Sequence, residues 1–265
     1  MKKNDGTDYT STSVNGCLAA INRHIVEKSL FNNLDLYHNN RHTYKRLWQI
    51  VDGKLRYLDE LGLGEKKGAD SLTDEEINII LSHSCTSPTN GYGLINRVFF
   101  HNCILLGLRV SEHYNLQRNH FKKRSDGGYE VYIYKSKTNQ RGLAGGAAEK
   151  LIIPYVEEII RDYELYFQKI PLNAEAAFYL HPLKFVQDWD CINSWYQPNH
   201  IGQTKLKNWL REITIETGID LTKCKIITHT GCKTVVRNLK ISGATDIETM
   251  SISRHRSIKG LASYE

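Results

Sequence analysis

Apolar residues recur with a helical period through the first part of the chain. One stripe, from Val14 to Ile25, predicts a helix over residues 13–30. A stronger stripe follows the i, i+3, i+4, i+7 rule of a helix with one buried face: Tyr44, Leu47, Trp48, Val51, Leu55 and Leu58. The charged, glycine-containing stretch 64–70 that follows is the best linker candidate. We therefore predict a small all-helical domain at residues 1–70.

Residues 71–265 are predicted to form a second, larger domain. It opens on Thr73-Asp74-Glu75-Glu76, which has the spacing of a helix capping box. Apolar runs and stripes predict further helices, at 94–106, 155–168, 206–213, 230–242 and 246–253. Residues 129–134 and 150–154 are rich in β-branched and aromatic side chains and predict strands. The predicted fold class is mainly α with a small antiparallel β-sheet.

The composition is that of an ordinary globular protein, with 40% apolar and 24% charged residues. No apolar run of about 18 residues occurs in the sequence, so we predict no membrane-spanning segment and no membrane partner. No apolar segment follows the N-terminus, so no signal peptide is expected. The six cysteines are scattered, and none belongs to a Cys-x-x-Cys pair. This predicts a reducing compartment, cytosol or nucleus, without disulfides.

The net charge of +6 is concentrated in two segments. Residues 118–150 hold eight Lys or Arg against three Asp or Glu, and residues 201–240 hold the same numbers, which leaves the remainder of the chain at −4. If folding brings the two segments to one face, they form a surface for a polyanion. The alternative is that these charges only solubilise the surface.

Several common site motifs are absent from the sequence. It contains no Gly-x-Gly-x-x-Gly, no Gly-x-x-x-x-Gly-Lys-Ser/Thr, no Gly-x-Ser-x-Gly and no His-Glu-x-x-His. Cys224, His229 and Cys232 are close enough in sequence for a zinc site, but no clear fourth ligand accompanies them. We therefore predict no cofactor, no metal and no small-molecule substrate.

The remaining candidates for chemistry are scattered cations, histidines and one tyrosine. Arg109 is predicted at the end of a buried helix, where an arginine needs an anion. A simpler interpretation is a structural pair with Glu112, one turn further along. Lys137 follows a predicted strand and precedes a glycine-rich loop, so it could equally be a solvated hairpin lysine.

Two histidines and a tyrosine complete the set. His229 opens a predicted helix, and a helix N-terminus favours anions, although a histidine there could simply be a cap. His255 lies between Arg254 and Arg256, and Tyr264 follows nine residues later. Taken singly, each of these residues is more simply explained by a structural role.

Taken together, their order and spacing resemble the tyrosine recombinases, the phage-integrase superfamily. More narrowly, four sequence motifs are similar to those of the Crypton-type eukaryotic branch and its domesticated derivatives. These motifs are Gly-Leu-Arg-Val-Ser-Glu-His (107–113), Ser-Lys-Thr-Asn-Gln-Arg-Gly-Leu (136–143), Phe-Tyr-Leu-His-Pro-Leu (178–183) and Arg-His-Arg-Ser-Ile-Lys-Gly-Leu-Ala-Ser-Tyr (254–264). The resemblance implies a helical core-binding, DNA-binding domain at 1–70 and a catalytic domain at 71–265. It also implies double-stranded DNA as partner, a homo-oligomer on DNA (dimer or tetramer) and a nuclear location.

The resemblance assigns a role to each candidate. Tyr264 would attack a DNA phosphodiester, form a 3′-phosphotyrosyl link and release a 5′-hydroxyl. Arg109, oriented by Glu112, would clamp the non-bridging oxygens. Lys137 would protonate the leaving oxygen. The two histidines, His229 and His255, would form hydrogen bonds to the phosphate or assist proton transfer.

The basic segments would supply the contacts to the DNA backbone. The side chains expected at the phosphates are Lys122, Lys123, Arg124, Lys135, Arg141, Lys205, Lys207, Arg211, Lys233, Arg254 and Arg256.

Two positions depart from the pattern of the family. Cys232 stands where the family places its second arginine, and a thiol cannot supply two charged donors. Loss of one donor aimed at a transition state typically costs about 3–4 kcal/mol, or roughly 10²–10³ in rate. Lys233 should point about 100° away around the helix, and Arg237 is a turn further on, so neither is a safe substitute. Arg254 stands where many members have glycine.

Three functions remain open at this point. The first is a site-specific recombinase that cleaves and rejoins DNA, impaired to some degree by Cys232. The alternative is a domesticated, catalytically inactive DNA-binding module. A third is a helical protein-interaction domain with incidental basic patches.

Overall fold

The computed structural model divides the chain into two compact units, Met1–Gly68 and Ala69–Glu265. The structure describes residues 2–29, 34–37, 43–64, 68–135, 147–222, 224–255 and 257–262. Four of the residues singled out above, Lys137, Arg141, Arg256 and Tyr264, lie outside them.

The first unit is built on two helices, α1 (Ser11–Lys28) and α2 (Lys45–Glu60). Thr10 caps α1 by accepting a hydrogen bond from the Ser13 backbone N–H at 3.3 Å. The Trp48 indole N–H donates to the Leu36 carbonyl at 3.0 Å, which ties the inter-helix segment to α2. Both helices match the apolar stripes of the sequence.

The second unit contains eight α-helices within the described residues. They are α3 (Asp74–Ser82), α4 (Gly91–Leu106), α5 (Val110–Asn115), α6 (Glu157–Gln168), α7 (Gln203–Glu216), α8 (His229–Ile241), α9 (Asp246–Ser253) and α10 (Ile258–Ala262). The predicted capping box starts α3: the Thr73 N–H donates to Glu76 Oε2 at 2.7 Å, and the Glu76 N–H donates to Thr73 Oγ1 at 3.2 Å.

Two small antiparallel sheets accompany these helices. One has three strands in the order β1 (Phe121–Lys123), β2 (Tyr129–Ile133) and β3 (Glu149–Ile153), and Ile133 of β2 pairs with Glu149 of β3. The other pairs β4 (Leu180–Pro182) with β5 (Tyr196–His200). The predicted fold class, mainly α with a small antiparallel sheet, is confirmed. The sequence did not predict β1, β4 and β5, because two of them span only three residues and β4 and β5 include prolines.

Helix α4 lies at the centre of the core, as its nearly continuous apolar sequence predicts. Leu94, Val98, Phe99 and Phe100 are all fully buried. Phe99 stacks on Trp209 of α7 with the ring centroids 4.4 Å apart. The C-terminal end of this rigid helix carries the segment on which the candidate site is built.

A buried chain of hydrogen bonds ties α4 to its neighbours. The Tyr163 hydroxyl of α6 donates to Asn102 Oδ1 at 2.8 Å, and Asn102 Nδ2 donates to the Tyr179 hydroxyl at 2.8 Å. That hydroxyl also bonds His113 Nδ1 of α5 at 2.8 Å. Burial lowers the pKa of His113 to about 3, so the ring is neutral at pH 7. The network fixes α5 relative to α4.

Candidate active site

The site begins at the tight junction between α4 and α5. Gly107 ends α4 in the left-handed conformation at φ 55°, which glycine adopts without strain. Arg109 is therefore the first residue before α5, whereas the sequence predicted it at the end of the preceding helix. The turn at Gly107, which separates the two helices, is the reason for this correction.

Glu112 holds Arg109 by two bonds. The Arg109 backbone N–H donates to Glu112 Oε2 at 2.9 Å, and the Arg109 guanidinium donates to Glu112 Oε1 at 3.0 Å. The Glu112 side chain is fully buried, and 17% of the Arg109 side chain is exposed. The anticipated pair is thus present, and it leaves part of the guanidinium at the surface.

A second guanidinium meets the same carboxylate. Arg254, which ends α9, donates to Glu112 Oε2 at 2.9 Å, to Glu149 Oε2 of β3 at 3.2 Å and to the Gly107 carbonyl at 3.3 Å. Only 7% of the Arg254 side chain is exposed. The sequence marked Arg254 as an unusual residue, but no local pattern indicated its partners or pointed to Glu149.

Cys232 lies against this cluster. Helix α8 approaches α4 closely at Gly231, where a Cβ atom would lie 2.6 Å from the Cys103 carbonyl oxygen. The Cys232 thiol, one residue further, donates to the Gly107 carbonyl at 2.8 Å. Burial raises the pKa of this thiol to about 11, although the positive charges of Arg109 and Arg254 act in the opposite direction. The thiol is therefore uncharged at neutral pH.

The two histidines differ in their surroundings. His229 is the first residue of α8, as predicted, and its side chain is exposed. His255 is part-buried, and its Nδ1 lies 2.7 Å from the Ser253 hydroxyl. Burial lowers the pKa of His255 below its usual range, and the nearby charges of Arg109 and Arg254 lower it further. His255 is consequently neutral near pH 7.

The protonated nitrogen of His255 follows from its neighbour. The Ser253 hydroxyl donates its hydrogen to the Thr249 carbonyl, so it can only accept a bond from His255 Nδ1–H. This assignment makes Nε2 the basic nitrogen of the ring.

Apart from Arg254, the described cations that are predicted to bind DNA lie on or directly after β1, after β2 and on α7 and α8, and they divide into two groups. Lys123, Arg124 and Lys205 form ion pairs within the protein, with Glu164, Asp126 (2.7 Å) and Glu212. The positive charge of these three side chains is therefore partly compensated within the protein. The second group is described by its exposure at the surface. It contains the exposed side chains Lys122, Lys135, Lys207 and Arg211 and the half-buried Lys233.

A cleft of about 530 Å³ runs between α7 and the start of α8. Its wall combines amide, hydroxyl and cationic side chains, and the principal members are Gln203, Thr204, Lys207, Asn208, Arg211 and His229. Val110, which follows Arg109 in the chain, lines it as well. The cleft therefore lies beside the residue that follows Arg109 and contains two exposed cations of α7.

The structure contains no metal-binding cluster within its described residues. No group of three or more His, Cys, Asp or Glu side chains there could hold a metal ion, the potential zinc ligands Cys224, His229 and Cys232 included. No described helix is long and apolar enough to cross a membrane.

Replacing Glu112 by glutamine is expected to destabilise the protein by about 3–5 kcal/mol. The substitution removes the negative charge that Arg109 and Arg254 share, and Arg254 is almost fully buried. The measurement is the free energy of unfolding in urea. Glu130→Gln, which breaks a surface pair with Lys150, is the matched control and should cost less than about 1 kcal/mol. Equal stability of Glu112→Gln and the native protein would contradict the structural role of this carboxylate.

The fold is similar to that of solved recombinases and integrases. XerA recombinase aligns over 99% of this chain and 80% of its own, with a TM-score of 0.53 and 13% identity. XerH site-specific recombinase, bound to palindromic difH substrate in a post-cleavage complex, aligns over 99% and 68%, with a TM-score of 0.52 and 11% identity. The Tn1549 transposon integrase, in complex with a circular intermediate DNA, aligns over 99% and 84%, with a TM-score of 0.50 and 11% identity.

The likeness lies in the structure and not in the sequence. No protein-family model matches the chain, and no curated protein matches it. Identities of 11–13% show the fold alone. The chain has the fold of the tyrosine recombinases.

Proposed function

We propose that this protein binds double-stranded DNA and cleaves and rejoins it through a 3′-phosphotyrosyl link to Tyr264. The observation that carries the proposal is the convergence of Arg109 and Arg254 on one buried carboxylate, Glu112, with the neutral His255 near enough to both arginines for their charges to lower its pKa. Cationic donors gathered in this way suit a phosphodiester whose negative charge grows in the transition state. The fold adds support, because two of the similar structures are complexes with DNA.

In the proposed reaction, the Tyr264 oxygen attacks the phosphorus atom and loses its proton to a base. His255 Nε2 is the basic nitrogen that the structure offers for this role. The phosphorus–O5′ bond breaks, and the Lys137 ammonium group donates one of its own protons to the leaving 5′-oxygen. The phosphate stays esterified throughout, so rejoining by the 5′-hydroxyl needs no external energy source.

Lys137 enters the proposal through its neighbours in the chain. Ile133, near the end of β2, pairs with Glu149 at the start of β3. Glu149 in turn accepts a hydrogen bond from Arg254 of the cluster. The chain therefore leaves and re-enters the described sheet close to the arginines, and Lys137 belongs to the segment between these two points.

The remaining assignments concern the DNA complex. We propose residues 1–70 as a core-binding domain and residues 71–265 as the catalytic domain, with the α7 cleft and its cations along the phosphate backbone. We also propose a dimer or tetramer on paired sites, a nuclear location and descent from the Crypton-type branch of the superfamily. Sites for these assemblies would come from selection of bound sequences out of random duplex DNA.

The test of the proposed function is a nicked duplex that traps the covalent intermediate. A nick placed a few nucleotides to the 3′ side of the cleavage site lets the short released fragment with its 5′-hydroxyl diffuse away, so the protein–DNA link cannot be reversed. We expect an adduct that survives SDS, carries the 3′-phosphate of the labelled strand and yields phosphotyrosine on hydrolysis. Salt-sensitive binding without any adduct would contradict cleavage.

Alanine at Lys207 or Arg211 is expected to weaken DNA binding about equally on all sequences. Lys207 and Arg211 are both exposed and both line the α7 cleft. Removing one phosphate-binding cation should reduce the slope of the logarithm of the binding constant against the logarithm of the salt concentration by about one. The measurement is fluorescence anisotropy of a labelled duplex at several salt concentrations. Arg161→Ala removes an equal charge from the exposed side of α6 and should leave the slope unchanged. An unchanged slope in the cleft variants would exclude the cleft as the DNA surface.

The second candidate function is a DNA-binding module without catalysis. Cys232, a buried and uncharged thiol beside Arg109, is the observation that favours it. This function predicts duplex binding with no adduct in the native protein and none in Cys232→Arg. An adduct formed by either protein excludes it.

A further inference from the structure

We propose that Arg254, and not residue 232, supplies the second guanidinium charge of the phosphate site. The inference rests on the proposed function and deepens it, because it identifies a further residue of the same site. In this interpretation, the guanidinium that the family places at position 232 of α8 is replaced by the guanidinium of Arg254, directly after α9.

The first support is where the Arg254 guanidinium lies. It donates to the Gly107 carbonyl at 3.3 Å, and the Cys232 thiol donates to that same oxygen at 2.8 Å. The two side chains thus converge on one atom, Cys232 from α8 and Arg254 from the position directly after α9. The Arg254 guanidinium and the Cys232 thiol are therefore close neighbours at this carbonyl.

The second support is the shared carboxylate. Glu112 Oε1 accepts a hydrogen bond from the Arg109 guanidinium at 3.0 Å, and Glu112 Oε2 accepts one from the Arg254 guanidinium at 2.9 Å. One fully buried anion therefore holds two planar forks side by side. Arg109 is also the more exposed of the two, so a bound phosphate would meet Arg109 first and Arg254 behind it.

The third support is an unused donor. The Arg254 side chain is 7% exposed, and its Nε–H has no hydrogen-bond partner among the described residues. A buried charged donor without an acceptor is unfavourable unless a ligand completes it. Glu112 and Glu149 satisfy other nitrogens of the same fork, so the remaining donor capacity is what an incoming oxyanion would use.

The fourth support is the backbone of Arg254. Its φ is 62°, in the left-handed region, and only one other non-glycine residue of the described chain has a positive φ. Glycine adopts this conformation freely, whereas a side chain there is strained. A long charged residue at a position suited to glycine needs a compensating interaction, and the two carboxylates with the Gly107 carbonyl provide it.

Other cations near position 232 are placed differently. Arg237, one turn further on α8, donates to the Leu72 carbonyl at 3.4 Å and lies 3.5 Å from Asp74. It is therefore directed at the start of α3, away from Glu112. Lys233 is half-buried, and its neighbour Cys232 is the residue that reaches the Gly107 carbonyl from α8.

The test is a two-by-two set of variants in the adduct assay: native, Arg254→Gly, Cys232→Arg and the double variant. Glycine at 254 suits the left-handed backbone, so the fold should persist. We expect Arg254→Gly to lower the rate of adduct formation about 10²-fold or more. Cys232→Arg should add little in the native background and should restore most of the rate in the Arg254→Gly background.

The coupling between the two positions decides the outcome. An unchanged rate in Arg254→Gly, or an equal gain from Cys232→Arg in both backgrounds, would overturn the inference while leaving the proposed function intact. Arg161→Ala, which removes a distant charge, is the matched control. Urea unfolding checks each variant, and Arg254→Asn replaces Arg254→Gly if the glycine variant proves unfolded, because asparagine also tolerates the left-handed region.

A second readout is independent of cleavage. If the native protein forms no adduct, the proposed cleavage fails, and the inference is judged by titration of the same four proteins with inorganic phosphate. We expect Arg254→Gly to weaken phosphate binding at least about ten-fold and the double variant to recover it. Equal phosphate affinity in the native protein and Arg254→Gly would overturn the inference by itself.

Discussion

Replacing Tyr264 by phenylalanine is expected to abolish the covalent adduct on nicked DNA while leaving duplex affinity within about two-fold of the native value. The phenolic oxygen is the atom that would bond to phosphorus, and phenylalanine lacks only that oxygen. The aromatic ring is retained in this variant. Gel electrophoresis in SDS measures the adduct, and anisotropy of a labelled duplex measures the affinity.

The control for this prediction is a tyrosine of the same domain that is exposed and outside the proposed machinery. Tyr155→Phe fits, since Tyr155 is a surface side chain that follows β3. It should form the adduct at the native rate. An adduct that persists in Tyr264→Phe would show that another nucleophile attacks, and the assignment of Tyr264 would then be wrong.

Replacing Arg109 by lysine is expected to lower the rate of adduct formation about 10²–10³-fold. Lysine keeps the positive charge but loses the planar fork, which here bonds Glu112 with one nitrogen and is partly exposed at the surface. The backbone N–H that bonds Glu112 at 2.9 Å remains in the variant. The defect should therefore appear in the cleavage rate and only weakly in duplex affinity.

Single-turnover rates at saturating protein separate these two effects. Arg161→Lys, the same exchange at an exposed position of α6, should keep the native rate. Arg109→Lys with native kinetics would mean that charge alone is sufficient at this position. A large loss of duplex affinity with an unchanged cleavage rate would instead make Arg109 a general DNA contact.

Position 232 links these predictions. A missing arginine suggests an impaired enzyme when the residue is considered alone, because a neutral thiol contributes no charge to the site. With Arg254 in place, we expect an active site that keeps two guanidinium groups. The Arg254 guanidinium donates to the Gly107 carbonyl, as the Cys232 thiol does, and to the Glu112 carboxylate, as Arg109 does. The adduct assay on the native protein, Arg254→Gly, Cys232→Arg and the double variant therefore also decides between an active recombinase and a DNA-binding module.

Most of the helices were predictable from local patterns. The continuous apolar sequence of α4, the capping box before α3 and the start of α8 at His229 are all visible in short segments of the chain. Strands β2 and β3 were predictable for the same reason, because each is long enough to show its β-branched and aromatic character. The short strands were not, since their stability comes from a partner distant in sequence.

The candidate site divides in the same way. The order of the amino acids alone established which residue types are present, and the spacing of an arginine, two histidines and a tyrosine resembles that of the tyrosine recombinases. It also showed that residue 232 is a cysteine. These properties are local, so short stretches of the chain are enough to reveal them.

The arrangement of the charges, in contrast, depends on the tertiary fold. Arg254 and Glu112 are separated by 142 positions, and Arg254 and Glu149 by 105. Their meeting depends on the left-handed turn at Arg254, the close approach of α8 to α4 at Gly231 and the pairing of β2 with β3. No periodicity or motif encodes such contacts, because each results from packing between elements that are remote along the chain.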